Sequence, residues 1–322
     1  MKRTTLGLLA LLRLHGEEGC SAARIARELG ISPEKVSEEI LHLAAAGFPV
    51  KEQRTRRWSL GPGGPLVAEE VRAGLGTTLI GRRVITLDET VSTQDVARRE
   101  AAGSSRAGTV VFAEKQSRGR GRFHREWQSE HRKDLTFSVV LRAPHRDSNP
   151  SLLTVTASVA VCETLVEALN LPARIRWPND ILLAGRKVAG ILVERTAPAH
   201  QPPAFLLGVG VNVNSRPVLE SATSLSAVRG RDVDRQELAR ALLRSLDAWF
   251  EEVRQGHTQL VANHWRRFSA TLGTRITVRS GRHRFTGRVV DLSDAFGLTL
   301  QLDDGLTQDF RGEHVTVERQ GG

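Results

Sequence analysis

Cysteine is scarce in this 322-residue chain: only Cys20 and Cys162, far apart and with no second ligand pattern beside either. That excludes a disulfide framework and a cysteine zinc site, and it suits a reducing cytoplasm. Long apolar runs are missing as well, so no membrane span is expected. The start, Met1-Lys2-Arg3 followed by Leu6 to Leu12, is interrupted by Arg13 and His15 and lacks a small-residue cleavage site. It reads as an amphipathic helix rather than a leader. Lysine is rare, and most of the basic excess is arginine: 46 Lys+Arg stand against 36 Asp+Glu, a net charge of +10. A GC-rich genome is the plainest cause of the arginine. The charge itself suits phosphate-bearing or polyanionic partners and says nothing of fold. Several catalytic signatures are absent: no phosphate loop ending in Gly-Lys-Ser/Thr, no His-Glu-x-x-His, no Gly-x-Ser-x-Gly.

What stands out is the stretch from Ala113 to Trp127. It sets Arg118, Arg120, Arg122 and Arg125 with Gly119 and Gly121 between the apolar run Thr109 to Phe112 and a tryptophan. Glycine lets the backbone turn and approach a ligand, and successive N–H groups in such a turn make an anion-binding concavity. Arginine adds fork-shaped donors for phosphate or carboxylate. A grip on a small anion and a solvated basic loop both fit these residues.

Three units are expected along the chain. In residues 1–62, Leu6, Leu8, Leu9, Leu12 and Leu14 give a first helical face. Ser21 caps a helix from Ala22 to Leu29, Gly30-Ile31-Ser32 turns, and Pro33 opens a third helix carrying Val36, Ile40 and Leu43. Val50 to Leu60 reads as two short strands around Arg54-Thr55. This order resembles a winged helix-turn-helix, with Lys35, Arg54, Arg56 and Arg57 as candidate DNA contacts. Glu34, Glu38 and Glu39 are expected to line the third helix and oppose phosphate, so any DNA affinity should be weak and steeply salt-dependent. Gly61 to Pro65 is a linker by composition.

Residues 66–270 alternate strands and helices. Strands are expected at Val84 to Leu87, Thr109 to Phe112, Asp134 to Leu141, Arg174 to Leu183 (interrupted by Pro178), Lys187 to Glu194 and Phe205 to Asn214. Helices are expected from Val91-Ser92-Thr93-Gln94 through Ala97, at Leu152 to Leu169, Gln236 to Val253 and His257 to Phe268. That is α+β with a mostly antiparallel sheet. Residues 272–322 alternate with period two at 275–279, 285–290, 298–302 and 315–317, a small antiparallel barrel.

Taken singly, the polar positions are ambiguous. Lys187 either reaches solvent at a hairpin end or holds an anion as a point charge. Asp180 either caps a turn or holds Mg2+. Gly208-x-Gly210 is not the dinucleotide fingerprint, because no third glycine and no helix start follow. Asn212, polar in an apolar strand, is expected to face a site or hydrogen-bond a neighbouring loop. His124 and His131 read as surface residues.

In order, however, the chain carries Ser92-Thr93-Gln94, then Gln116 with Gly119 to Arg122 and Trp127. Next come Trp177-Pro178-Asn179-Asp180, Arg186-Lys187-x-Ala189-Gly190-Ile191-Leu192-Val193-Glu194, and Gly208-x-Gly210-x-Asn212. This series is similar to the biotin protein ligases of the bifunctional bacterial type, which also repress a biotin operon, and the likeness runs the whole length. The resemblance implies a winged helix-turn-helix, a mixed α/β ligase domain related to class II synthetases and an SH3-like barrel. It implies that biotin and ATP, with Mg2+, form biotinyl-5′-adenylate. Biotin then passes to a lysine of a biotin carboxyl carrier domain. Operator DNA and a homodimer, at least when liganded, follow as implied partners.

By that resemblance Ser92, Thr93, Gln94, Gln116, Arg120, Gly121, Arg122, Lys187, Gly190 and Gly208 bind biotin. Arg122, Trp127, Arg176, Asn179, Asp180, Lys187 and Asn212 bind ATP, and Asp180 the metal. Lys187, Arg122 and Arg120 carry the catalysis. The chain departs from the family at Val91 and Gln94, where Asp and Asn are usual, at His124 for a glycine and at Arg176 for a lysine. A lipoate–protein ligase of the same fold and a non-catalytic biotin-sensing regulator are the rival expectations.

Overall fold

The computed structural model describes residues 1–61, 63–103, 107–142, 149–197 and 203–318; Pro62 of the expected linker and the last four residues of the expected barrel lie outside them. The chain opens with α1 (Arg3–His15), β1 (Cys20–Ser21), α2 (Ala22–Leu29), α3 (Pro33–Ala45), β2 (Val50–Glu52) and β3 (Arg57–Leu60). Ser21 and Ser32 cap α2 and α3, each hydroxyl accepting a backbone N–H at 3.3 Å. Gly30 closes α2 at φ 64, a left-handed position that glycine fills without penalty. Leu8, Leu9, Leu12, Ile25, Val36, Ile40 and Leu43 make a core of their own beneath a small sheet ordered β1-β3-β2.

Two expectations fail here. Leu14 is 76% exposed rather than part of the apolar face. Glu39 is buried, its carboxylate accepting the Thr5 hydroxyl at 2.5 Å, so only Glu34 and Glu38 of the three glutamates face solvent.

The middle of the chain forms α4 (Ala68–Arg72), β4 (Arg83–Thr90), α5 (Thr93–Ala102), β5 (Thr109–Gln116), the short pair β6 (Gly119–Arg120) and β7 (Glu126–Trp127), and β8 (Leu135–Arg142). Then follow α6 (Pro150–Glu167), β9 (Arg174–Arg176), β10 (Asp180–Leu183), β11 (Arg186–Thr196), β12 (Ala204–Val211), α7 (Leu225–Arg229), α8 (Arg235–Arg254) and α9 (Thr258–Phe268). Seven strands make one sheet, ordered β4-β5-β8-β12-β11-β10-β9. Only β4 and β5 are parallel. The expected single strand from Arg174 to Leu183 is two: β9 and β10 pair antiparallel, Asp180 opposite Arg176, with Trp177-Pro178-Asn179 as their turn. Proline cannot donate to a ladder, so the chain reverses there.

Alternation along the strands gives each sheet face its own cover. On one face α6 packs against α8, α9 and β11. By length and composition α6 could cross a membrane, contrary to the expectation above, but 72% of it is buried; it is the core helix. On the other face α5 packs over Val111, Val140, Ala204 and Leu206. The same face continues along β12 as Gly208, which the Gln94 side chain at the start of α5 still reaches, and Gly210.

The last segment contains β13 (Arg275–Ser280), β14 (His283–Leu292), β15 (Leu298–Leu302), β16 (Thr307–Phe310) and β17 (Thr316–Glu318). They form one antiparallel sheet, β16-β15-β14-β13-β17. The strand β16 was not expected. Val278, Val289, Leu298, Leu300 and Phe310 join the central core.

Candidate active site

Cross-strand pairing sets out the floor. Residues directly opposite each other in a ladder share a face. One row therefore runs Ser138–Gly208–Leu192, and the next Thr136–Gly210–Gly190–Asp180–Arg176. Glycines at the centre leave a hollow, and large side chains from elsewhere lean into it. A Cβ on Gly210 would lie 2.4 Å from Cε2 of Trp127, and one on Gly190 3.1 Å from Cζ3 of the same indole. A Cβ on Gly208 would lie 3.3 Å from the Gln94 amide. A cavity of about 580 Å3 opens over this floor, within the range of small-molecule sites. Fourteen of the fifteen positions expected to bind biotin or ATP line it; Asn212 does not.

One end of the cavity is neutral and polar. Gln116, at the end of β5, accepts from the Thr93 N–H at 2.8 Å and its hydroxyl at 3.1 Å. Ser138 donates to the Thr93 hydroxyl at 2.8 Å. Ser92 caps α5, its Oγ accepting the Gln94 N–H at 3.3 Å.

The other end is charged. Asp180 meets Lys187 Nζ at 2.6 Å through one oxygen and Arg176 at 2.8 Å through the other. Burial alone would push its carboxyl up, but these two cations outweigh that and hold it below the ordinary aspartate value. Lys187 also stands 5.3 Å above the Trp127 ring.

The arginine loop closes over both ends. Gly121 and Arg125 bond across it at 2.7 Å. Phe123 and His124 both sit in the left-handed region, at φ 54 and 57. Arg120 donates to Asp95 at 2.5 Å and stands 3.8 Å from Glu194. Arg122 differs, for its hydrogen-bond partners are all neutral acceptors: Asn179 Oδ1 at 3.1 Å, Val315 O at 3.0 Å and Gly312 O. Burial pulls its pKa down, against the charges of Asp180 and Glu313. The guanidinium is thus desolvated and held by neutral acceptors, with no carboxylate bonded to it.

Some contributors carried little or no sequence signal. Gly312 and Val315 act through backbone carbonyls, and Asp95 lies outside any motif; Glu194, in contrast, ends the Lys187 motif. Asn212 instead braces the loop after β12, its amide donating to Thr223 O at 2.9 Å. His124 is exposed, and His131 bonds Asp88 at 2.9 Å. Among the described residues no three His, Cys, Asp or Glu side chains gather as for a metal. In the first unit, Lys35 is tied to Glu38 at 2.7 Å. Arg57 donates to Glu18 O and Gly19 O at 2.8 and 2.6 Å. Arg54 and Arg56 are exposed.

The family described as "Biotin/lipoate A/B protein ligase family" matches residues 88–214, the stretch that builds this cavity. The bifunctional ligase/repressor BirA of Bacillus subtilis is 31% identical over 313 residues, 94% of this chain and 96% of that protein. The chain belongs to the biotin protein ligase family. A second member, the biotin–[acetyl-CoA-carboxylase] ligase of Mycobacterium tuberculosis, is 34% identical over 69% of this chain and 84% of its own length. The Aquifex aeolicus biotin protein ligase, solved in complex with biotin and ATP, superposes with a TM-score of 0.65 at 27% identity. It covers 74% of this chain and 100% of its own.

Set against the family pattern, the departures have distinct places. Val91 is exposed and lines an adjoining cavity rather than this one, whereas Gln94 is 97% buried in this cavity's wall. Arg176 keeps the positive charge beside Asp180. His124 takes a left-handed backbone conformation that a glycine would adopt without penalty.

Proposed function

We propose that this chain is an ATP-dependent biotin–protein ligase that forms biotinyl-5′-adenylate and passes biotin to a lysine of a biotin carboxyl carrier domain. The observation that carries the reading is Arg122, buried with only neutral hydrogen-bond partners beside Lys187 and Asp180, over a glycine floor. Both substrates are anions, and attack of the biotin carboxylate on the α-phosphate builds charge at phosphorus. Arg122 and Lys187 neutralise that charge by position. Arg120, now paired with Asp95 and Glu194, covers the biotin carboxylate and the adenylate. Trp127 supplies an aromatic face for the ATP side, with Arg176 and Asn179 at the charged end. Ser92, Thr93 and Gln116 hold the biotin ring. No protein nucleophile is needed, because the acceptor lysine attacks the mixed anhydride directly. The loop excludes water from that labile bond.

Asp180 is one carboxylate among cations, not a metal cage, which fits an ion held mainly by substrate phosphates. Mg2+ would supply charge neutralisation on the triphosphate, with Asp180 as its contact. We read the first unit as a winged helix-turn-helix that binds operator DNA and the last as an SH3-like barrel, in a cytoplasmic protein that dimerises when liganded. Arg54 and Arg56 are the free DNA contacts; Lys35 and Arg57 are held by the protein itself. The rival substrate is tested by labelling a carboxyl-carrier domain with biotin in the presence of excess lipoate. Lipoate should not compete; transfer of lipoate in place of biotin would overturn the assignment.

A further inference from the structure

The two loop arginines at the cavity are held in different ways. Arg122 bonds only neutral acceptors, whereas Arg120 stands in a square of charges. Its Nη2 donates to Asp95 Oδ1 at 2.5 Å, and its Nη1 lies 3.8 Å from Glu194 Oε1. Arg98 closes the square from α5, reaching Asp95 Oδ1 at 3.3 Å and Glu194 Oε2 at 2.9 Å. Two carboxylates facing one guanidinium repel each other; Arg98 offsets that repulsion and keeps both within reach of Arg120.

The square grips the loop from outside. Arg120 lines the ligand cavity and the adjoining one, but Asp95 and Glu194 line only the adjoining one. The anchors belong to the frame of the sheet: Asp95 lies in the first turn of α5, and Glu194 in β11 opposite Leu206 of β12. Other ties of the loop cannot do the same. Gly119 and Arg120 pair with Trp127 and Glu126 within the loop, and Gly121 bonds Arg125. The backbone bonds of Ser117 to Thr90 O and Arg118 to Val91 O precede the residues that cover the cavity. The tie through Arg122 uses a group that the reaction needs. Only the tie from Arg120 to α5 and β11 can persist while a ligand is bound.

We infer that Asp95 and Glu194 are positioning residues, which hold the loop shut through Arg120 and keep the biotinyl-adenylate from escaping before the acceptor lysine arrives. This rests on the ligase reading above. Escape has a chemical consequence, because the free mixed anhydride acylates exposed amines. The amine nitrogen bonds to the biotin carbonyl carbon, the bond from that carbon to the phosphate oxygen breaks, AMP leaves with the electron pair, and the amine proton passes to solvent. The clamp therefore bears on which protein is labelled. Its four side chains are between 28% and 39% exposed, so salt screens it.

The test loads wild type, Asp95→Asn and Asp95→Glu with adenylate made from biotin and ATP. It follows release of the adenylate, and labelling of serum albumin beside a carboxyl-carrier domain, across salt concentration. Asp95→Asn should release the adenylate about fivefold faster at low salt and raise the albumin-to-carrier ratio in proportion. Asp95→Glu should restore most of the retention. Release from wild type should climb with salt toward the Asp95→Asn rate, while release from Asp95→Asn stays nearly flat; a merely structural loss would not converge in this way. Equal release by wild type and Asp95→Asn at low salt, or wild-type release indifferent to salt, would overturn the inference. Should Asp95→Asn not fold, Glu194→Gln is read by the same criteria. A wild type that forms no adenylate would instead refute the ligase assignment.

Discussion

At the residue scale the site is a balance of charges held before any ligand arrives. Asp180 has two cations on its two oxygens, and its carboxyl lies below the ordinary aspartate value because Lys187 and Arg176 outweigh burial. A carboxyl with a lowered folded-state pKa contributes stability above its ordinary value and loses it as pH falls through the lowered one. Asp180→Asn should therefore lower stability by roughly 1.5–3 kcal/mol at neutral pH. The gap to wild type should close on acidification below the aspartate range. Melting curves across pH check it, and a gap that widens in acid would refute it. His124 holds a left-handed backbone at φ 57, which costs a residue with a Cβ about 1 kcal/mol or more. His124→Gly should raise the urea midpoint by up to about 1 kcal/mol of stability; a lower midpoint would show that the histidine side chain holds the loop. That the position departs from a glycine was legible in the sequence. The backbone conformation it adopts was not, because φ depends on how the loop is tethered at Gly121, Arg125 and Arg122.

At the scale of elements, the cavity is a consequence of strand register. Gly190 and Gly210 are twenty residues apart in sequence and directly opposed in the sheet, and Trp127 arrives from a third element to lie across both. Gly210→Ala would set a Cβ 2.4 Å from that indole. It should displace the ring, shift tryptophan emission and lower kcat/KM for ATP between tenfold and a hundredfold. Unchanged emission and kinetics would show that the ring has no fixed place on the floor. Caps, turns and periodicity made most helices and strands readable: Ser21, Ser32 and Pro33 fall at the helix starts they announce. Long-range pairing did not announce itself. The two-residue strand β1 exists only because Cys20 and Ser21 pair with Trp58 and Arg57, and β9 and β10 looked like one strand because their turn is three residues long. Asn212, polar among apolar neighbours, left a site or a loop contact open; its amide takes the second, bracing Thr223, so the ATP contact implied by the family likeness is not made from this cavity's lining.

At the scale of the whole molecule, polar contacts fasten the linker and the first helix to the sheet-bearing part of the chain. Arg235, at the start of α8, meets Glu114 of β5 at 2.6 Å with both side chains almost wholly buried. It also donates to Gly64 O at 2.6 Å, while Glu114 accepts the Leu66 N–H at 2.5 Å. The same strand carries Gln116 into the cavity two residues later. Arg13 of α1 reaches Glu70 and Asp234 at 3.0 and 2.8 Å. Burial pushes the Glu70 carboxyl up, and Arg13 opposes that shift. Arg132 packs so closely on Gly47 that a Cβ there would lie 2.0 Å from its Nη1. Removing one partner of a buried pair strands the other. Glu114→Ala should therefore cost about 3–5 kcal/mol and open the segment around Gly64 to proteolysis; a loss under about 1 kcal/mol would show that Arg235 finds another acceptor. Composition gave no hint of this fastening, since Glu114 sits inside the basic loop's approach strand and Arg235 lies at a helix start far along the chain.

The central claim is that Lys187, Arg122 and the glycine floor activate biotin with ATP for transfer to a protein lysine. The direct measurement is incorporation of biotin into a purified carboxyl-carrier domain, with ATP, by wild type and by Lys187→Ala. Wild type should label the acceptor only when ATP and biotin are both present, and Lys187→Ala should lose nearly all of that rate while keeping its fold. Absence of labelling by the wild type, or full labelling by Lys187→Ala, would contradict the account.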